Sequence, residues 1–295
     1  MKYDLAIALR ICPSLSSSAV GFNDKLEMVI ESCRSMYVAL NDFRWKLSVI
    51  LDGCPREYIE ALEKVFITGD VTFIETDSIG NNLTYDRQVD LLVSEREAEY
   101  VYFAEDDYIY EPEAFKAMLD WMARPNVDFV TPLDHPGYYL PDSIAARVHI
   151  RVSPFRHWRE IGSTCLTFMT KVETLRKHEE TFRHFSRCGE EGTQWLAFTH
   201  ENTHNVFVLL RALLKWITRS PCSFGLLMPL CAWRWHWRML LFKRRYHLWA
   251  PIPSLAIHCS KVSLPPFSGQ QIACELGERL DWKSYLGLGD SRDEN

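Results

Sequence analysis

The sequence predicts an α/β protein: a mainly parallel β-sheet flanked by helices, joined to an α+β second half that carries a basic amphipathic helical segment. Three observations predict it. Short apolar runs alternate with helix-period segments as far as residue 131, giving the order βαβαβαβαβ. The runs are apolar on both faces, as strands are when helices cover both sides of a sheet. With 295 residues, 47% hydrophobic and 13% aromatic, the chain can bury a substantial core.

The elements follow in chain order. "DLAIAL" (4–9) reads as the first strand. From Lys25 onward, Leu26, Val29, Ile30, Cys33 and Leu40 share one helical face, and Asn23 is placed to cap that helix. Next come the strand "KLSVIL" (46–51), the helix "REYIEALEKVF" (56–66) behind Pro55, and the strand "VTFIE" (71–75). The helix "LTYDRQVDLLVSE" (83–95), the strand "YVYFA" (100–104), the helix "EAFKAMLDWMA" (113–123) behind Pro112 and the strand "VDFVT" (127–131) complete the first half. Beyond it the alternation stops. "LDHPGYYLPDS" (133–143) is turn-rich, "RVHIRVSPF" (147–155) and "STCLTFMT" (163–170) read as strands, and "KVETLRKHEETF" (171–182) reads as a helix. No Gly/Ser linker separates the halves, so residues 1–131, 132–260 and the extension 261–295 are expected to form one integrated domain with a loose tail.

Charge is distributed unevenly. Between Val206 and Trp249 there are eight Lys or Arg and no Asp or Glu, so with a net charge of −6 the rest of the chain sums to −14. The same stretch is rich in Leu, Trp and Phe, but Pro229, Arg234 and Arg238 interrupt the run of about 20 apolar residues that a spanning helix needs. The composition suits a segment lying on an anionic membrane surface; a solvated internal helical layer is the plainer alternative. Nucleic acid is a poor partner for the remaining acidic chain. Nine cysteines fall singly, with no C-x-x-C pair, which points to a reducing, cytoplasmic setting rather than a disulfide framework or structural zinc. "MKYDLAIALRICP" is too short and too acidic for a signal peptide.

The densest chemistry lies at "YVYFAEDDY", where Glu105, Asp106 and Asp107 follow an apolar strand. A solvated turn tolerates three such acids, but in a parallel sheet ligands bind beyond the carboxyl ends of the strands. Oxygen-rich clusters there bind hard cations such as Mg²⁺ or Mn²⁺, which in turn hold diphosphates. Phosphate also needs cations or backbone amides, for which Arg10 behind the first strand and Arg87 in the Gly-led "DSIGNNLTYDRQ" are the candidates.

With "LDG" (51–53) ending the second strand and "EDD" (105–107) ending the fourth, the chain resembles a GT-A, Rossmann-like glycosyltransferase of the family 2 type. The resemblance runs over residues 3 to 260. It implies that Asp107 binds the metal, that Glu105 contacts the nucleotide ribose or metal-bound water, and that Asp52 contacts the nucleotide base, with Asp106 a further cofactor-binding candidate. Locally, Asp52 reads equally well as a turn residue before Gly53. The family's downstream acid pair, which supplies a catalytic base, matches Glu190 and Glu191 in "RCGEEGTQW", although acids at a helix start are also ordinary capping partners. The family's late metal-site histidine matches His258 in "SLAIHCSK". Two departures stand out: Glu occupies the base position where the family has Asp, and the processive Q-x-x-R-W motif is absent, its nearest counterpart being "CAWRW" (231–235).

The implied activity is a single, non-processive and inverting transfer of a sugar. The donor would be a nucleotide-diphosphate sugar and the acceptor a hydroxyl on a glycan or lipid-linked molecule, with Mn²⁺ or Mg²⁺ as cofactor. Nucleotidylyltransferases of related fold carry a Gly-rich loop after the first strand, which "ALRICPSLSSS" lacks. A metal-dependent phosphoesterase and a non-catalytic nucleotide-sugar-binding protein are the competing classes. Elsewhere, His200 and His204 in "HENTH" have helical i, i+4 spacing without a zinc motif around them, and Arg156, His157 and Trp158 either meet an acceptor or pack a loop.

Overall fold

The computed structural model describes residues 1–14, 22, 24–139, 149–154, 156–218 and 224–259. Asn23 and the extension 261–295 lie outside the described residues, as do most of the turn after Tyr139 and Phe155.

The first half forms the predicted elements and adds one short strand, β5: β1 (Tyr3–Ile11), α1 (Lys25–Ala39), β2 (Trp45–Asp52), α2 (Arg56–Val65), β3 (Asp70–Thr76), α3 (Asn81–Val93), β4 (Ala98–Glu105), β5 (Tyr108–Tyr110), α4 (Ala114–Met122) and β6 (Phe129–Val130). Asp24 caps α1, its carboxylate accepting from the Glu27 N–H at 2.9 Å. The second half contains a 3-10 turn (Pro136–Tyr139), β7 (Ile150–Val152), β8 (His157–Ile161), β9 (Phe168–Lys171), α5 (Val172–Lys177), α6 (Glu179–Phe182), α7 (His184–Cys188), α8 (Gly192–Thr199), α9 (Val206–Ile217), α10 (Phe224–Phe242), β10 (Leu248–Ile252) and β11 (Ala256–His258).

The described strands make a nine-stranded sheet in the order β3-β2-β1-β4-β9-β6-β10-β8-β7 and a small sheet of β11 with β5. β1 runs parallel to both β2 and β4, and β2 to β3, so these four strands end along one edge. β9 lies between β4 and β6 and is antiparallel to both.

Alternation along β1 shows why the strands are apolar on both faces. Leu5, Ile7, Leu9 and Ile11 enter one core with Val29 and Cys33 of α1, Leu62 of α2 and Phe115 and Met118 of α4. Ala6 and Ala8 face the other, with Tyr85 and Val89 of α3, Phe185 of α7 and Trp195 and Phe198 of α8. Trp158 is 1% exposed and stacks on Trp121 with centroids 4.9 Å apart. Arg156 pairs with Glu111 at 2.7 Å. Both therefore take the loop-packing reading rather than the acceptor one.

Candidate active site

A cleft of about 640 Å³ lies beyond the carboxyl ends of the four parallel strands, a volume suited to a small-molecule ligand. Each strand delivers a polar group to it: Arg10 from β1, Asp52 from β2, Ser78 and Gly80 from the loop after β3, and Glu105, Asp106 and Asp107 from β4. His258 and Cys259 close it from β11. His258 is brought there by the small sheet, in which it pairs with Tyr108 and stacks on that ring at 4.8 Å. The Cys259 N–H donates to the Asp107 carbonyl at 2.8 Å, fixing the register.

The three adjacent acids do three different things. Glu105 accepts from Arg10 Nη2 at 2.5 Å through Oε1 and from the Thr167 hydroxyl at 2.8 Å through Oε2. Asp106 is buried, accepting from Lys25 Nζ at 2.7 Å and from the Cys12 N–H at 3.1 Å. Asp107 meets His258 Nε2 through Oδ2 at 2.9 Å, while its Oδ1 is buried without a hydrogen-bond partner. Burial opposes the charge on Asp107, but the hydrogen bond and charge of His258 hold its carboxyl below the usual range. Burial likewise opposes a charged His258, yet Asp107 raises the imidazole above its ordinary value.

That orphaned oxygen could accept a ligand proton or coordinate a cation. Among the described residues no group of three or more His, Cys, Asp or Glu is arranged to hold a metal. Asp107 and His258 thus offer two protein ligands, few enough for a Mg²⁺ or Mn²⁺ whose remaining positions are filled by phosphate and water.

Several sequence expectations change here. Asp106 does not present a free carboxylate to a ligand, because Lys25 and the Cys12 amide occupy it. Asp52 spends both oxygens on the loop after β3, accepting from Thr76 Oγ1 (2.8 Å), the Ile79 N–H (2.7 Å) and the Gly80 N–H (2.8 Å). The loop then turns at Gly80, whose φ of 86° is a left-handed value that favours glycine. Arg87 is absent from the cleft. It is half-exposed on the outer face of α3, 3.8 Å from Asp90, because Thr84, Tyr85, Gln88, Val89 and Leu92 take the inner face. The cationic side chain at that end of the cleft is Arg10, 8% exposed and bonded to Asn81 as well as Glu105. The start of α3 also lines the cleft, and its Gly80 N-cap makes no side-chain bond, leaving first-turn N–H groups for an anion.

Glu190 and Glu191 lead into α8, whose eight residues are all buried. Their roles separate. Glu190 Oε1 accepts from the Gly192 N–H at 2.9 Å and so caps the helix start. Glu191 is largely buried: desolvation first, then the charge of Glu105, push its carboxyl up to about 8, against the opposing charge of Arg10. The charges of Glu190 and His258 also act on it, but neither Glu190 nor Glu191 is among the residues that line the cleft.

Lys25 was not singled out in the sequence, although a signal existed. A cation as the first residue of a helix opposes the macrodipole, so it needs a partner. Lys25→Met, leaving Asp106 buried and uncompensated, is expected to cost about 3–5 kcal/mol in urea denaturation at pH 7. A loss below about 1 kcal/mol would mean that water reaches the pair.

No protein-family model matches the chain, and no curated protein matches it in sequence. Its fold is similar to that of residues 1–349 of S. aureus TarS, at 12% identity over 66% of this chain and 55% of that one, with a TM-score of 0.44. This chain thus spans little more than half of that fragment, which has also been solved with UDP and with UDP-GlcNAc. Similar too are the galactosyltransferase LgtC in complex with donor and acceptor sugar analogs (10% identity, 65% and 69% coverage, TM-score 0.41) and the mannosyltransferase PcManGT from Pyrobaculum calidifontis in complex with GDP-Man and Mn²⁺ (11%, 79% and 70%, 0.43).

Proposed function

We propose that the protein is a GT-A glycosyltransferase that moves a sugar from a nucleotide diphosphate onto a hydroxyl of a glycan or lipid-linked acceptor, in one non-processive displacement. The observation that carries this reading is Asp107 Oδ1, a buried carboxylate oxygen without a partner, beside His258 in a ligand-sized cleft at the strand ends.

In this reading Asp107 and His258 hold a divalent cation, which supplies charge compensation for the departing diphosphate. Arg10 and the first-turn amides of α3 add positive potential at the same end of the cleft. Asp52 acts by shaping the loop that meets the nucleotide, and Glu105 by fixing Arg10. Glu191 takes the proton from the acceptor hydroxyl as its oxygen bonds to the anomeric carbon. The bond from that carbon to the diphosphate breaks on the opposite side, so the configuration inverts.

Release of nucleoside diphosphate from a panel of nucleotide sugars, with and without hydroxyl acceptors, tests the proposal. Transfer predicts release stimulated by one acceptor class and a product of inverted anomeric configuration. Steady release indifferent to every acceptor would instead indicate hydrolysis.

A further inference from the structure

We infer that α9 is a membrane-docking element whose outward apolar stripe enters the surface layer of an anionic phospholipid bilayer. Of its twelve residues, "VFVLLRALLKWI", only Ala212 is buried. Phe207, Leu210, Leu214 and Ile217 are 85%, 57%, 62% and 64% exposed. Their spacing of three, four and three residues puts them in one row. A surface helix normally turns such a row toward the core. Here the row points away from it, and a twelve-residue helix has little stability of its own in water.

Charge selects the occupant. Arg211 and Lys215, one turn apart, flank the row and pair with no carboxylate among the described residues. Farther along, Arg244 and Arg245 differ in pairing with Asp128 and Glu160. No acid occurs between 206 and 249. The neighbouring α10 ends in exposed Leu241 and Phe242, followed by Lys243. A second copy docking by two-fold symmetry would set these cations against their own equivalents, whereas an anionic headgroup layer neutralises them while its acyl boundary takes the apolar row. No described helix is long and apolar enough to cross a membrane, so the docking is on the surface. This inference is independent of the cleft and stands or falls without it.

Flotation of the full chain with phosphatidylcholine vesicles, with and without phosphatidylglycerol, tests it. The protein should float with the anionic vesicles and stay behind with the neutral ones, and added salt should weaken the binding. F207S/L214S and R211E/K215E should each reduce binding on the order of tenfold. Their melting temperatures should be unchanged, because the substituted side chains are not part of the core. Failure of the wild type to float, equal binding to both vesicle types, or wild-type flotation by F207S/L214S would overturn the inference. So would a wild-type dimer in solution that F207S/L214S separates while neither protein floats, since the face would then belong to a second copy.

Discussion

Asp107→Ala is expected to abolish cation-dependent binding of nucleoside diphosphate and to lower transfer on the order of 10³-fold or more. The substitution removes the orphaned oxygen and the hydrogen bond between Asp107 and His258, so both protein groups offered to the cation are affected. The fold should survive, because the Asp107 side chain carries no packing contact of the core and the Cys259 amide bonds to the Asp107 backbone carbonyl. Titrating Mn²⁺ against the melting temperature of the nucleotide complex separates the outcomes. Wild-type cation dependence in the variant would move the cation site away from Asp107.

Glu191→Gln should divide binding from chemistry. The amide keeps the size of the side chain but cannot accept the acceptor's proton, so transfer should fall about 10²–10⁴-fold while donor affinity stays near wild type. Two pH readouts accompany it. In the wild type, kcat/KM should rise with pH as Glu191 ionises, with the free protein's group titrating near 8. Stability runs the opposite way. A carboxyl whose pKa is raised by folding binds its proton more tightly in the native state, so stability is lost as pH climbs from the usual carboxylate range through about 8. Glu191→Gln should therefore melt higher than wild type above pH 8 despite its slower transfer. A variant with undiminished transfer, or one whose pH profile matches wild type, would exclude Glu191 as the base.

The parallel half of the fold was legible because its strands are buried on both faces and its helices keep a 3.6-residue period, as β1 and α1 show. Strand partners were not legible. Nothing in "STCLTFMT" says that β9 inserts between β4 and β6, because periodicity reports faces and not neighbours. The three-residue strands β5 and β11 are too short for alternation to register, yet they bring His258 to Asp107 across 151 positions of sequence. Arg87 illustrates a signal that was present and outweighed by its Gly-led neighbourhood. The inward phase of α3 already runs through Thr84, Tyr85, Gln88 and Leu92, which leaves residue 87 outside. The partners that take up Glu105 and Asp106, Lys25, Arg10 and Thr167, come from distant parts of the chain and cannot be read from "EDD" itself. The choice between Glu190 and Glu191 likewise depends on geometry, one capping α8 and the other buried with its carboxyl raised by desolvation.

The most direct measurement is the melting temperature of the unmodified chain with nucleoside diphosphates of each common base, with and without Mn²⁺. A cleft that holds a diphosphate through a cation on Asp107 and His258 predicts that one nucleotide stabilises the protein only when the cation is present. At a concentration one hundred times its dissociation constant, the gain should be about 2.7 kcal/mol. If no nucleotide shifts the transition at saturating Mn²⁺, or if the shift is the same without the cation, the assignment of this cleft as a cation-dependent nucleotide-sugar site is contradicted.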